Sequence, residues 1–200
     1  MSKKALEFAT KAHAGQVRKY SGEPYITHPV RVAERVSVRV FDVICPVAPT
    51  NQLLGNAIIE AAILHDTVED CDVTLEDLKD NFDEYVADLV EEVTNVYESD
   101  AFPHLNRAQR NKLEVERLAE VSSAARIIKL ADRVDNLLDM PAPTSNRLSG
   151  FLKVYTKESA WLLDALKGTD EPLESQLRWI LKNLQNGIKA KDDLGLVPNR

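Results

Sequence analysis

The sequence predicts an all-α fold, a bundle of roughly eight helices. Three observations lead there. Apolar residues recur at three- and four-residue spacing in nearly every stretch. Capping and proline signals open several of those stretches. The single segment with strand character has no second strand to pair with. At 200 residues the chain is long enough for one domain with a full core and too short for two generous ones, so residues 1–200 are expected to form one domain.

Taken in order, Ala5, Phe8, Ala9 and Ala12 form the apolar stripe of a first helix. His28 and Pro29 mark the next start, because proline suits the first helical position and pushes the residue before it out of the helical region. His28 is thereby set at a helix entrance. In VSVRVFDVIC, residues 36–45, β-branched residues make a strand compete with a helix. Pro46, Pro49 and Gly55 follow as breakers, so residues 41–56 are expected to be a loop.

Ile58, Ile59, Ala61, Ala62, Ile63 and Leu64 leave little room for a wet face, which predicts a central helix. TLED, residues 74–77, has the form of a capping box and starts another just after Val73. Val86, Leu89, Val90 and Val93 carry the next stripe, and residues 98–106 read as a loop. Ile127, Ile128, Leu130, Ala131, Val134, Leu137 and Leu138 surround nearly the whole circumference of a helix over 124–140. Leu152, Tyr155, Ser159, Leu162, Leu163 and Leu166 line the penultimate helix. Leu173, Leu177, Ile180, Leu181, Leu184 and Ile188 line a C-terminal helix over 171–190 that packs on the rest.

Composition narrows the function classes. With 44% hydrophobic and 28% charged residues, and no apolar run near the length of a membrane span, the chain reads as a soluble globular protein. A net charge of −7 argues against a general binder of nucleic acid or anionic membrane. A small polyanion would need a local basic patch. MSKKALEFATKAH lacks the apolar segment of a secretory signal, so a cytoplasmic location is expected. Cys45 and Cys71 are then expected to be reduced, with no chemistry assigned to them.

Against this background AAILHDTVED, residues 61–70, is anomalous. His65 and Asp66 end an otherwise apolar helix, where charge is costly unless it is paired or bound to metal. Consecutive helical residues point about 100° apart, so the two can share a ligand only if it sits between them, as one metal ion does. His28 at its helix mouth and Asp132 on the greasy 124–140 helix are the other two residues that solvation explains poorly. A mixed imidazole and carboxylate set suits manganese, iron or zinc, with manganese favoured by the carboxylate share. If the helix carries on, Glu69 and Asp70 fall one turn beyond His65 and Asp66, where they would orient a water and move its proton.

Each residue also has a plainer reading. Asp132 could pair with Arg133, Asn136 could cap a buried carbonyl, His28 could be a satisfied helix-end ring, and Glu69 and Asp70 could be solvated. The coincidence of four such residues on apolar helices favours metal. For His13 and His104 a structural or solvated role is preferred.

The pattern of a His, then His65-Asp66, then Asp132 resembles the HD superfamily of metal-dependent phosphohydrolases. RKYSGEPYITHP (18–29), HDTVED (65–70) and KLADRVDNL (129–137) resemble the RelA/SpoT hydrolase branch, over roughly residues 5–167. The chain is similar to the stand-alone small alarmone hydrolases of the metazoan SpoT type. That resemblance implies an HD-domain helical bundle and hydrolysis of the 3′-pyrophosphate of ppGpp or pppGpp to GDP or GTP and pyrophosphate, with one manganese ion. It implies His28, His65, Asp66 and Asp132 as ligands and Glu69 and Asp70 as the pair handling water and protons. It assigns Arg18 and Lys19 to the pocket mouth, Asn136 to a nucleoside contact and Tyr155 to a wall near the ribose and 3′ phosphates.

Two departures stand out. The 41–56 connection is longer than compact members need, and Leu138 occupies a position where the family often has arginine. Adenine alarmones, NADPH or another nucleotide remain alternative substrates. A non-catalytic nucleotide sensor ranks lower, because neither the ligand set nor the acidic pair is lost. A homo-oligomer is compatible with the sequence.

Overall fold

The computed structural model describes residues 2–43, 49–140 and 146–185, and within them ten helices follow one another. These are α1 (Lys3–Ala12), α2 (Thr27–Val43), α3 (Pro49–Leu64), α4 (Thr67–Asp70), α5 (Leu75–Asn81), α6 (Glu84–Val93), α7 (Arg107–Leu118), α8 (Ser123–Asp139), α9 (Asn146–Ala165) and α10 (Glu171–Gln185). The all-α expectation holds. The excess over eight comes from α4 and α5, which are short pieces between the long helices.

The core is built around α3 and α8. Helix α2 packs on both; α3 also meets α1 and α6, and α8 also meets α6 and α10. Ile58, Ile63 and Leu64 of α3 and Ile128, Leu130 and Leu137 of α8 are among the largest fully buried side chains. Leu138 belongs to the same apolar cluster. Helix α9 bridges α7 and α10, and Leu173, Leu177, Ile180, Leu181 and Leu184 seal the inner face of α10. Residues 186–190 of the expected last helix lie outside the described residues.

The connection over 41–56 corrects the sequence reading. Helix α2 runs on to Val43 and α3 begins at Pro49, so no loop spans the whole interval; residues 44–48 lie outside the described residues. The strand reading of residues 36–43 fails for an energetic reason. A β-branched residue costs well under about 1 kcal/mol in a helix, whereas burying a valine side chain yields about 1.5–3 kcal/mol. Val32, Ala33, Val36 and Val40 are all fully buried on one helical face. Pro49 supplies no barrier either, because as the first residue of α3 it has no intrahelical N–H to lose.

Local signals set the remaining boundaries. Thr74 and Asp77 form a reciprocal capping box at the start of α5, as expected. Ser122 caps α8 by accepting from the Ala125 N–H. Residues 94–106 are irregular, in keeping with the loop predicted within them. Between α1 and α2 the chain doubles back: Arg18 N–H donates to the Glu23 carbonyl (2.8 Å) and Tyr25 N–H to the Gln16 carbonyl (3.0 Å). Gly22, with φ +72°, makes that reversal in the left-handed region. The turn directs Arg18 toward Asn136 and Asp139 of α8 and delivers Tyr25 to Asp66 and Asp70, beside His28. No helix among the described residues is long and apolar enough to cross a membrane.

Candidate active site

His28, His65, Asp66 and Asp132 converge. His28, in the first turn of α2, places Nε2 at 3.3 Å from Asp66 Oδ2 and 3.3 Å from Asp132 Oδ1. His65, just past the end of α3, places Nε2 at 3.1 Å from Asp66 Oδ1 and 3.8 Å from Asp132 Oδ1. The potential donor atoms of His28, His65 and Asp132 all lie within 4.8 Å of one another. Both imidazoles are buried, and the Nε2 atom of each lacks a hydrogen-bond partner.

The opposite ring nitrogens explain that arrangement. His28 Nδ1 lies 2.8 Å from Asp135 Oδ2, and His65 Nδ1 lies 2.8 Å from the Ala62 carbonyl. A carbonyl and a carboxylate accept only, so each Nδ1 carries a proton and donates it. Each Nε2 is then free to face the gap between the carboxylates. Two such nitrogens and the Asp132 carboxylate, with Asp66 alongside reaching one ring with each oxygen, fit a divalent transition metal.

The electrostatics show what the cluster does without a cation. Burial lowers the His65 imidazole, but Asp66 and Asp132 outweigh it and raise it to about 9. Burial lowers His28 too, and Asp132, Asp135 and Asp66 more than compensate, holding it well above the usual imidazole range. The carboxyls of Asp66 and Asp132 are pushed up by burial yet held far down by the two rings. The acids therefore stay ionised, and a metal would replace protons on the imidazoles.

Glu69 and Asp70 sit on α4, which starts anew at Thr67 after a turn at His65-Asp66 rather than continuing α3. The Asp70 N–H donates to the Asp66 carbonyl at 2.8 Å, so the predicted one-turn spacing survives the break. The Asn95 side chain donates to Glu69 Oε1 (2.6 Å) and the Asn95 N–H to Glu69 Oε2 (3.2 Å). The Tyr25 hydroxyl lies 2.7 Å from Asp66 Oδ2 and 2.9 Å from Asp70 Oδ2, sharing its one proton between them. Burial, then the nearby Asp66 charge, pushes Asp70 up; burial raises Glu69 despite Lys129.

These groups open on a cavity of about 590 Å³. Asp66, Glu69, Asp70 and Asp132 contribute to its wall, as do Asn136 and Tyr155. Arg107 and Arg110 of α7 and Lys129 and Arg133 of α8 are the cations of that wall, but Glu98, Asp100, Glu114 and Glu158 line it too, so the expected basic patch is absent and carboxylates outnumber cations. Arg107 is held by Glu158 through two 2.8 Å bonds, and the Arg133 guanidinium lies over the Tyr155 ring at 4.6 Å.

Arg18 and Lys19 stand apart from that wall. Arg18 is buried; its Nη2 donates to Asn136 Oδ1 at 2.9 Å, its Nε lies 3.5 Å from Asp139 Oδ2, and Asn136 Nδ2 in turn donates to Asp132. It therefore backs the site through Asn136. Lys19 is exposed, with Nζ 5.4 Å from the Phe151 ring centroid. His13 is buried against Tyr25, and His104 is exposed beside Phe102; neither joins the His/Asp cluster.

Sequence reasoning missed Asp135, Tyr25, Asn95 and the four wall cations. Asp135 carried the same signal as Asp132, an acid on a helix buried nearly all round, three residues further along. Tyr25 and Asn95 carried none, since both act across the fold from irregular segments.

An all-α fold with a buried His/Asp cluster at a cavity defines the class, and the chain belongs to the HD domain family, whose model matches residues 5–157. It is similar to the guanosine-3′,5′-bis(diphosphate) 3′-pyrophosphohydrolase MESH1 of Homo sapiens, at 34% identity over 188 residues covering 92% of this chain and 93% of that one. The Danio rerio protein of the same name is 32% identical over 186 residues, with coverage of 92% and 93%. Among solved structures, one described as a metazoan ortholog of SpoT that hydrolyzes ppGpp superposes with a TM-score of 0.69 at 31% identity, covering 94% of this chain and 98% of that one.

Proposed function

We infer that this protein is a metal-dependent hydrolase of guanosine 3′,5′-bis(diphosphate), removing the 3′-pyrophosphate of ppGpp or pppGpp to leave GDP or GTP. One observation carries the reading: two orphaned imidazole nitrogens meet the Asp66 and Asp132 carboxylates beside a nucleotide-sized cavity, where a bound divalent cation would add to Arg107, Arg110, Lys129 and Arg133 in offsetting the wall's acids for a polyanion. The naming of the relatives for that reaction supports it.

His28, His65, Asp66 and Asp132 are the proposed ligands, and the carboxylate share of that set favours manganese. A divalent ion bound there supplies Lewis acidity toward a phosphoryl oxygen and toward water. The chain's own residues do the rest. Asn95 fixes the direction of Glu69, and Tyr25 fixes Asp70 relative to Asp66. Carboxyls raised by burial are suited to take a proton from the attacking water and return one to ribose O3′ as its bond to the pyrophosphoryl group breaks.

Asn136 and Tyr155 are proposed to contact the nucleoside, with Arg18 orienting Asn136 from behind and Lys19 at the outer mouth. The substrate is a small molecule. The setting proposed is the cytoplasm, where such nucleotides occur.

Product analysis tests the assignment. Purified protein stripped with chelator and reloaded with manganese is offered ppGpp, pppGpp, ppApp and NADPH. Pyrophosphate and GDP from ppGpp are expected. Orthophosphate as the first product, or turnover confined to ppApp or NADPH, would overturn the guanosine 3′-pyrophosphate reading.

A further inference from the structure

We propose that Asp135 is a positioning residue for the metal centre: it locks the His28 ring in the tautomer and orientation that point Nε2 at the cation. This rests on His28 serving as a ligand. Asp135 touches neither the cavity wall nor the gap between the four ligand candidates; it reaches the centre only through His28.

The geometry carries the assignment. Asp135 lies one turn from Asp132 on α8, so the same helix face presents one carboxylate to the gap and the next to the back of the imidazole. Its Oδ2 accepts from His28 Nδ1–H at 2.8 Å, while the opposite nitrogen, Nε2, is buried without a hydrogen bond and faces Asp66 and Asp132 at 3.3 Å each. A neutral imidazole has one proton. Fixing it on Nδ1 leaves the Nε2 lone pair for a cation, and the carboxylate raises the ring's basicity as a ligand.

Asp135 is itself held. Arg31 Nε donates to its Oδ1 at 2.9 Å, and Arg35 Nη2 stands 3.7 Å from the same oxygen. Both arginines come from α2, the helix that carries His28, at three and seven residues' remove. One carboxylate on α8 thus clamps ring and helix together. His65 has a weaker counterpart, the neutral Ala62 carbonyl of its own helix. The two imidazoles are therefore unequal, with His28 the one backed by charge.

The test is manganese affinity, measured by competition with a fluorescent chelator on the parent, His28→Ala, Asp135→Asn and Arg31→Met proteins, alongside melting curves of the metal-free forms. Asn keeps the shape but offers its amide group as readily as its oxygen, which lets the ring adopt the other tautomer. Asp135→Asn is expected to weaken manganese binding about 10- to 100-fold, with turnover recovering when manganese is raised. Arg31→Met, which removes an ion pair but leaves the Asp135–His28 bond, should lose less affinity than Asp135→Asn.

Equal affinities of the parent and Asp135→Asn overturn the proposal. So does a loss of affinity no larger than that of Arg31→Met at matched melting temperature, since that is what a purely structural ion pair gives. If instead the parent binds no manganese, or His28→Ala binds as tightly as the parent, the metal assignment fails rather than the role of Asp135 within it.

Discussion

Glu69 and Asp70 adjoin in sequence but answer to different partners. Asn95 grips both oxygens of Glu69, and the Tyr25 hydroxyl ties Asp70 to Asp66. Neither acid is among the proposed ligands, so the two can be tested apart from the metal set. Glu69→Gln is expected to keep manganese and lose about 10²- to 10⁴-fold in kcat, the range for removing a proton-transfer group. Wild-type kcat with Gln at this position would remove Glu69 from the proton path. By contrast, His65→Ala and Asp132→Ala should abolish metal binding and turnover together; full activity of chelator-treated Asp132→Ala protein would sink the metal assignment.

Titration of His65 gives a second test at the same scale. Its imidazole is raised to about 9 by Asp66 and Asp132 against burial, compared with about 6.5 in an unfolded chain. A raised group stabilises the fold fully below its unfolded value and loses that contribution as pH climbs through the folded one. The metal-free protein should therefore melt progressively lower between about pH 6.5 and pH 9. Manganese affinity should rise across the same window, because the ring must shed a proton to bind. A flat metal-free melting profile, after correction for other groups, contradicts the pairing of His65 with both acids.

At the level of elements, the sequence was most legible where periodicity and capping agree. α8 and α10 follow their apolar stripes, and Thr74 starts α5 through the capping box read from TLED. The 41–56 connection was misread as a loop because proline and glycine are weak local signals there, and β-branching before it left a strand in competition with the helix. Burial of Val36 and Val40 overrides the β-branching, and the position of Pro49 at a helix start disarms the proline. Part of the candidate site was readable for a similar reason: Asp132 breaks the apolar pattern of α8, His65 and Asp66 end the apolar run of α3, and His28 stands at the start of α2. Tyr25 and Asn95 break no pattern, and the inward turn of Arg18 depends on a chain reversal that no periodicity announces.

That reversal makes its own prediction. Gly22 has φ +72°, and a Cβ there would meet nothing within 4 Å. Any cost of Gly22→Ala is therefore conformational rather than steric crowding, about 1–2 kcal/mol. For a chain of this size that is a fall of about 2–8 °C in melting temperature. An unchanged melting temperature would mean that the turn relaxes freely and does not constrain Arg18.

For the whole molecule, the site joins elements distant in sequence. His28 comes from α2, His65 and Asp66 from the junction of α3 and α4, and Asp132 from α8, the helix around which much of the core is packed. A cation bound to all four would tie the native state together and find no such arrangement in the unfolded chain. Its binding free energy then appears as stability. At free manganese 100 times its dissociation constant, the gain is about 2.7 kcal/mol. With about 2–4 °C per kcal/mol for a chain of this length, the metal-loaded protein should melt about 5–10 °C above the chelator-treated form near pH 8, where protons compete least well within the practical range. The increment should grow with the logarithm of manganese concentration and vanish in Asp132→Ala. A melting temperature indifferent to manganese in the parent would mean that the converging imidazoles and carboxylates are an internal ion-pair cluster, and the hydrolytic reading would lose its centre.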